Sequence, residues 1–163
     1  MKKVLIALDY DPTAQNIAET GFAFAKSMNA KVILLHVTSD YVYYSSLDYS
    51  PILGYDSFSN LGVLQTNTVD ELHKAAEGYL DTTRRHLGDE TIQTLVKDGD
   101  FGEIILETAK ELNADVIVMG THRRRGLDKI LMGSVAEKVL HNSSIPLFII
   151  PTKKDEEKNK EAG

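Results

Sequence analysis

Apolar residues come along this chain in two alternating rhythms, short unbroken runs and longer stretches spaced three or four apart. Val4-Leu5-Ile6-Ala7-Leu8 is a run of the first kind, the pattern of a strand buried on both faces. Asp9-Tyr10-Asp11-Pro12-Thr13 follows as a helix-start signal, with Pro compatible with the first turn. Ala14, Ile17, Ala18, Gly21, Phe22, Ala25 and Met28 then form one face of a predicted helix, with small residues in its middle suited to lying close against a sheet. Asn29-Ala30 breaks that spacing, and Lys31–Val37 (KVILLHV) predicts a second buried strand.

Residues 39–64 have no sustained period and are rich in Tyr, Ser, Gly and Asp, the chemistry of a long loop. Its Tyr41, Tyr43, Tyr44, Tyr49 and Tyr55 can cover a ligand or a partner, and equally can pack as a flap on their own domain. The helical spacing returns from Val69 to Leu87 and closes at Gly88. Thr91–Val96 predicts a third strand and Lys97–Gly102 a turn; Ile104, Ile105, Thr108, Ala109 and Leu112 predict a helix ended by Asn113. Asp115–Met119 predicts a fourth strand, Gly120–Met132 a loop, Ser134–His141 a helix and Ile145–Ile150 a fifth strand. The domain is thus expected over residues 1–152, with 153–163 (KKDEEKNKEAG) a charged flexible tail.

Strands alternating with helices mean βαβ units, hence an α/β fold with a parallel sheet. Right-handed crossovers put helices on both faces of that sheet, and ligands bind outside the carboxyl ends of its strands where the strand order reverses. The ends at Asp9, Val37 and Gly120 therefore mark the expected site.

Composition narrows the chemistry. One domain of 163 residues, 42% apolar and 26% charged, is ordinary for a globular protein. A net charge of −6 argues against a general nucleic-acid binder. There is no Cys, which excludes disulfides, thiol catalysis and Cys-ligated zinc. The apolar run before Asp9 is too short for a signal-peptide core and no run reaches a membrane span, so a cytoplasmic protein with no membrane contact is the expectation.

Gly120 to Ser134 carries the main chemical signal. A strand runs into Gly120, the chain loops out through Arg123-Arg124-Arg125, and Gly133-Ser134 opens a helix. A helix start offers unpaired N–H groups and the positive end of a dipole to an anion, glycine admits phosphate oxygens close to the backbone, and Ser134 can cap or donate. An ordinary strand–loop–helix connection, in which Gly133 eases a bend and Ser134 caps, fits the same residues. Other signals fall away. Asp100-Phe101-Gly102 imitates a kinase motif without the segments that accompany it, and is read as the turn into a helix. Asn142-Ser143-Ser144 is a glycosylation sequon without a secretion signal. The histidines show no metal spacing, and His36 is read as a packed core residue. No GxxxxGK[ST] or GxSxG occurs, and no general base is aimed at a phosphate.

Gly120-Thr-His-Arg123, nine residues, then Gly133-Ser134 resembles the G-x2-G-x9-G-[ST] motif of the universal stress protein family. Val4–Asp9, Leu34-Leu35-His36-Val37, Asp115–Gly120, Val135–Val139 and Ile145–Pro151 extend the resemblance over nearly the whole domain. It implies a three-layer α/β sandwich, Rossmann-like and similar to the adenine nucleotide α-hydrolase fold, with a five-stranded parallel sheet in the order 3-2-1-4-5. It also implies an adenine nucleotide, ATP or else ADP or AMP, with Mg2+ as companion. By the same resemblance the Val37 backbone pairs with the adenine edge, and Ala7, Leu8 and Asp9 line the nucleoside, Asp9 at the ribose. Met119, Gly120 and His122 border ribose and phosphates, and Gly133, Ser134 and Val135 bind phosphate. Arg123 stands where the motif has its second Gly; its guanidinium can clamp phosphate, swing out, or narrow the pocket. A homodimer through the last strand is implied as well. Three functions stay open: a nucleotide-binding stress-response regulator, a nucleotide-free dimeric interaction module, and a slow ATPase or self-phosphorylating enzyme.

Overall fold

In the computed structural model, which describes residues 1–38, 68–121 and 132–152, five strands lie parallel in one sheet. The elements run β1 (Lys3–Ala7), α1 (Ala14–Ser27), β2 (Lys31–Thr38), α2 (Thr68–Leu87), β3 (Gln93–Asp98), α3 (Phe101–Glu111), β4 (Val116–Gly120), α4 (Ser134–Asn142) and β5 (Leu147–Ile150). The sheet order is β3-β2-β1-β4-β5, as the resemblance implies.

The central strands are the apolar ones because both their faces are covered. Val4, Leu5 and Ile6 of β1 have no exposed surface, and β2 is buried from Val32 to Thr38. On one face Val4, Ile6, Leu34 and Val118 pack with Ile17, Ala18 and Leu80 of α1 and α2. On the other, Leu5, Ile33, Leu35, Ile117 and Met119 pack with Ile105, Ala109, Ala136 and Val139 of α3 and α4. Gly21 shows why α1 has small residues in mid-face: a Cβ there would lie 2.9 Å from Ile6 Cδ1 and 3.0 Å from Val118 Cγ1.

Local chemistry sets the element ends. Asp11 Oδ1 accepts from the Thr13 backbone N–H at 2.9 Å and the Thr13 hydroxyl at 2.8 Å, so Asp11 serves the start of α1. Asn29 ends the same helix at φ 52°, Gly88 ends α2 at φ 73°, and Asn113 follows α3 at φ 53°.

Three boundaries differ from those read in the sequence. β3 covers 93–98 in place of 91–96, because Asp89 Oδ1 takes both the Thr91 N–H and hydroxyl and holds 89–92 as a turn. Its far end runs on to pair Asp98 with Thr38 of the long β2. α3 begins at Phe101, inside the segment read as a turn, because Asp100 caps it by accepting from the Glu103 N–H at 3.0 Å. β5 begins at Leu147, two residues late: the Ser143 hydroxyl bonds Ile145 on both its N–H and carbonyl, and Pro146 has no N–H to pair.

The strand order reverses between β1 and β4: β2 and β3 extend to one side of them, β5 to the other. This is the topological switch point, and the carboxyl ends of β1 and β4 open there. The Tyr-rich segment 39–64, the triplet Arg123–Arg125 with His122, and the tail 153–163 lie outside the described residues.

Candidate functional site

At the switch point a cleft of about 170 Å³ opens at the strand ends. From β1 and the turn after it come Ala7, Leu8 and Asp9; from β2, Leu35 and Val37. β4 and its continuation supply Met119, Gly120 and Thr121. Phe101 and Ile105 of α3, Val135 and Ala136 of α4, and Ile17 of α1 close it. Of the residues singled out in the sequence, Ala7, Leu8, Asp9, Val37, Met119, Gly120 and Val135 are brought together here. Gly133 and Ser134 sit just before Val135 at the start of α4 and are not part of the cleft lining. His122 and Arg123 fall outside the described residues.

The floor is apolar and rigid because it is the end of the hydrophobic core. Leu35 and Val37 alternate along β2 onto one face, with Met119 on β4 beside them, each buried. Phe101 and Ile105, one helical turn apart, form the wall opposite. Such a slot suits a flat apolar ring.

The β1–α1 turn is fixed from three sides. Leu8 N–H donates to the Leu35 carbonyl at 2.9 Å, His36 Nδ1 lies 2.8 Å from the Leu8 carbonyl oxygen, and the Tyr79 hydroxyl donates to the Asp9 carbonyl at 2.8 Å. A carbonyl only accepts, so Nδ1 carries the imidazole proton and Nε2 is left as a buried acceptor with no partner among the described residues. The Tyr10 ring stands between, with its centroid 4.2 Å from that of His36 and 5.0 Å from that of Tyr79. The sequence reading of His36 as a core residue agrees with its 2% exposure. Burial pushes the His36 pKa below its ordinary value, against the opposing pull of the Leu8 bond and the Asp9 charge. Burial, aided by the Asp9 charge, pushes the Tyr79 hydroxyl well up.

The unfolded chain binds a proton on His36 at a higher pH than the folded one, so stability falls as pH drops below about 6.5 and continues falling to the lower folded pKa. Between pH 7.5 and 5.5 the thermal midpoint of the wild type is therefore expected to drop further than that of His36→Asn, measured by calorimetry. Equal drops in the two proteins would contradict the assignment.

Gly120 has a packing reason to lack a side chain. A Cβ there would lie 2.2 Å from Ile17 Cδ1 and 3.1 Å from Thr152 Cγ2. Immediately beyond it Thr121 N–H donates to the Ile150 carbonyl at 3.0 Å, Thr152 N–H donates to Thr121 Oγ1 at 3.2 Å, and the Thr152 hydroxyl donates to the Thr121 carbonyl. This buried pair ties the chain leaving β4 to the chain leaving β5.

α4 points its N-terminus at this end of the sheet. Gly133 is its N-cap, with φ −66° and ψ 161°, and the first bond of the helix runs from Glu137 N–H to the Gly133 carbonyl at 2.9 Å. Ser134 is thus the first helical residue and not the cap, one of the two roles the sequence left open for it, and it is exposed. The N–H groups of Ser134, Val135 and Ala136 have no partner within the helix, and the dipole adds positive potential there. Lys138 anchors α4 to the start of α3, 2.8 Å from Asp100 Oδ1 and 3.3 Å from Glu103 Oε1. That lysine, followed by the Glu103 N–H bond, holds the Asp100 carboxyl below its usual value.

Sequence reasoning missed Ile17, Leu35, Ile105, Thr121 and Ala136 as lining residues, and Tyr79 as a support. Period-two spacing from Val37 signals Leu35 and one helical turn from Phe101 signals Ile105; nothing local signals Tyr79, which arrives from α2. Among the described residues no cluster of His, Asp or Glu is placed to hold a metal ion, and no helix is long and apolar enough to cross a membrane.

The sequence model of the Universal stress protein family matches residues 1–151. The chain is 30% identical to universal stress protein A of Yersinia pestis over 95% of both chains, and 30% identical to that of Escherichia coli K12 over 96% of this chain and 98% of the relative. Among solved structures, that of a Methanocaldococcus jannaschii universal stress protein superposes with a TM-score of 0.69 at 26% identity, covering 94% of this chain and 98% of that one. An Archaeoglobus fulgidus universal stress protein in complex with dAMP shares the fold at a TM-score of 0.59 and 18% identity, covering 92% of this chain and 98% of that one. A universal stress protein in complex with cAMP does so at 0.56 and 20%, over 91% and 95%. With the family pattern spanning all five strands of the sheet, this chain belongs to the universal stress protein family.

Proposed function

We propose that the cleft binds an adenine nucleotide, ATP with Mg2+, and that the protein acts as a nucleotide-responsive regulator in the cytoplasmic stress response. One observation carries the reading: an apolar slot, a carboxylate at Asp9 and the first N–H groups of α4, which have no partner within the helix, converge at the switch point of the sheet. These three features answer the three parts of a nucleotide. The base lies between Val37 and Phe101, with the Val37 backbone on its polar edge. The ribose hydroxyls donate to Asp9, and Met119 and Gly120 border the sugar. Gly133, Ser134 and Val135 take phosphate oxygens, with His122 and Arg123 completing that end. The adenine nucleotides named in the dAMP and cAMP complexes of the fold neighbours support the choice of base.

Isothermal titration with ATP–Mg is expected to give saturable heat, with AMP competing. No heat and no competition would overturn the reading. In this reading turnover is absent or slow, since among the described lining residues none pairs a nucleophile with a base; product formation above a Gly133→Asp control would favour the enzyme.

The β5 edge favours a second, compatible role. Among the described residues β5 ends the sheet, with no strand beside its outer backbone groups, and Leu147, Phe148 and Ile149 are half-buried. The Phe148 ring stacks on Phe24 of α1 at 4.5 Å, which stiffens this edge for pairing with a second copy. Light scattering is expected to return the mass of a dimer; a monomer mass would contradict it.

A further inference from the structure

We infer that His36 and Tyr79 are positioning residues that aim Asp9 into the cleft, and so set how strongly the site senses the ribose hydroxyls; this rests on the nucleotide reading above. The geometry begins where the sheet stops. The ladder between β1 and β2 ends with Ala7 opposite Leu35, and the one between β1 and β4 ends with Ile6 opposite Val118. Leu8 N–H still reaches the Leu35 carbonyl. Past that bond the strand leaves the sheet, and among the described residues no strand lies beside the next two carbonyls, of Leu8 and Asp9. Side chains take them instead: His36 from β2 holds the first and Tyr79 from α2 holds the second, each at 2.8 Å.

Both side chains lie behind the turn, away from the cleft lining. His36 is buried with the α1 and α2 face of β2, and Tyr79 packs against that same core. The Tyr10 ring fills the space between them, so the backbone of residues 8–10 is clamped from behind as a unit. On the front, Asp9 Oδ1 accepts the Asp11 N–H at 3.0 Å, which orients the carboxylate relative to the start of α1. Rotating the peptide after Asp9 changes where its carboxylate points, and the Tyr79 bond opposes that rotation. The clamp therefore bears most directly on Asp9; the slot wall from α3, Met119 of β4 and the start of α4 belong to elements that it does not touch.

This separates positioning from mere support. If the clamp aims Asp9 at the ribose, losing it weakens ATP and leaves 2′,3′-dideoxy-ATP, which has no hydroxyls to offer, almost unchanged. If the clamp only stabilises the fold, both nucleotides weaken together or neither does.

The test is titration calorimetry of ATP and 2′,3′-dideoxy-ATP, each with Mg2+, on the full chain and on Tyr79→Phe, His36→Leu and His36→Asn. Circular dichroism without nucleotide confirms that each variant is folded. The wild type is expected to prefer ATP. Tyr79→Phe, which removes one hydrogen bond and little volume, is expected to weaken ATP about fivefold and the dideoxy analogue less than twofold. His36→Leu is expected to do the same or more. His36→Asn places an amide N–H near the Nδ1 position and is expected to recover most of the loss. Should His36→Leu fail to fold, Tyr79→Phe and His36→Asn decide the matter. ATP affinity within twofold of wild type in folded Tyr79→Phe, or equal loss for both nucleotides, would overturn the inference while leaving the nucleotide site standing. A wild type that binds neither nucleotide would overturn the proposed function and this inference together.

Discussion

A Gly133→Asp protein is expected to lose affinity for ATP about 100-fold or more while melting no lower than the wild type. The two halves of this expectation come from the same position. Gly133 is the N-cap of α4 with φ −66° and ψ 161°, an extended conformation open to any residue. Aspartate is among the best N-caps, since its carboxylate accepts the free N–H groups of the first turn and complements the dipole. The fold therefore gains or holds. Those same N–H groups are the proposed phosphate ligands, and a carboxylate that occupies them also repels the phosphates. Two like charges about 5 Å apart at an effective dielectric near 20 cost roughly 3 kcal/mol, which is about 100-fold in affinity. The check is paired calorimetry, scanning for stability and titration for ATP–Mg. A variant that melts as high as wild type and binds as tightly would remove α4 from the site.

Gly120→Ala is expected to lower stability by about 1–3 kcal/mol, roughly 3–10 °C in midpoint, and to weaken nucleotide binding with it. The added methyl would meet Ile17 Cδ1 at 2.2 Å, too close for any side chain to tolerate in place. Ile17 is buried beneath α1 and also lines the cleft, so it can yield only by shifting α1 or by moving into the binding space. Trimming it is the remedy. The double variant Gly120→Ala, Ile17→Val is expected to melt higher than Gly120→Ala plus Ile17→Val summed as independent changes, because the two residues compete for one volume. Strict additivity in thermal melts would show that the contact is not what requires glycine at 120.

The contrast between these two glycines shows how far sequence reasoning reached. The resemblance makes Gly133 a phosphate ligand and Gly120 a border of ribose and phosphates. Gly133 stands at a helix N-terminus, where that reading remains the proposal. Gly120 has a packing partner from α1 that no local pattern announces, since Ile17 reads simply as one more apolar residue on a helix face. The sheet was legible because β1, β2 and β4 are buried on both faces and so appear as unbroken apolar runs. β3 was displaced by two residues because its start is decided by the Asp89 turn and its end by the length of β2. The start of α3 was hidden for a similar reason: Asp100 and Glu103 three residues apart were a capping signature, but Asp100-Phe101-Gly102 was read as a turn. In the cleft, most residues at the strand ends were found by topology, whereas Tyr79 enters through a long-range hydrogen bond to Asp9. Such pairings have no periodicity, so composition and spacing leave them unmarked.

In the proposed site an adenine nucleotide sits at the ends of β1, β2 and β4 against the start of α4. Backbone amide NMR shifts during titration with ATP–Mg test it most directly. The account predicts saturable shifts concentrated at Ala7, Leu8 and Asp9, at Val37, at Met119 and Gly120, and at Gly133, Ser134 and Val135, with the α1–α2 surface around Glu19 and His86 undisturbed. Shifts absent from these groups, or concentrated along β5 instead, would contradict it.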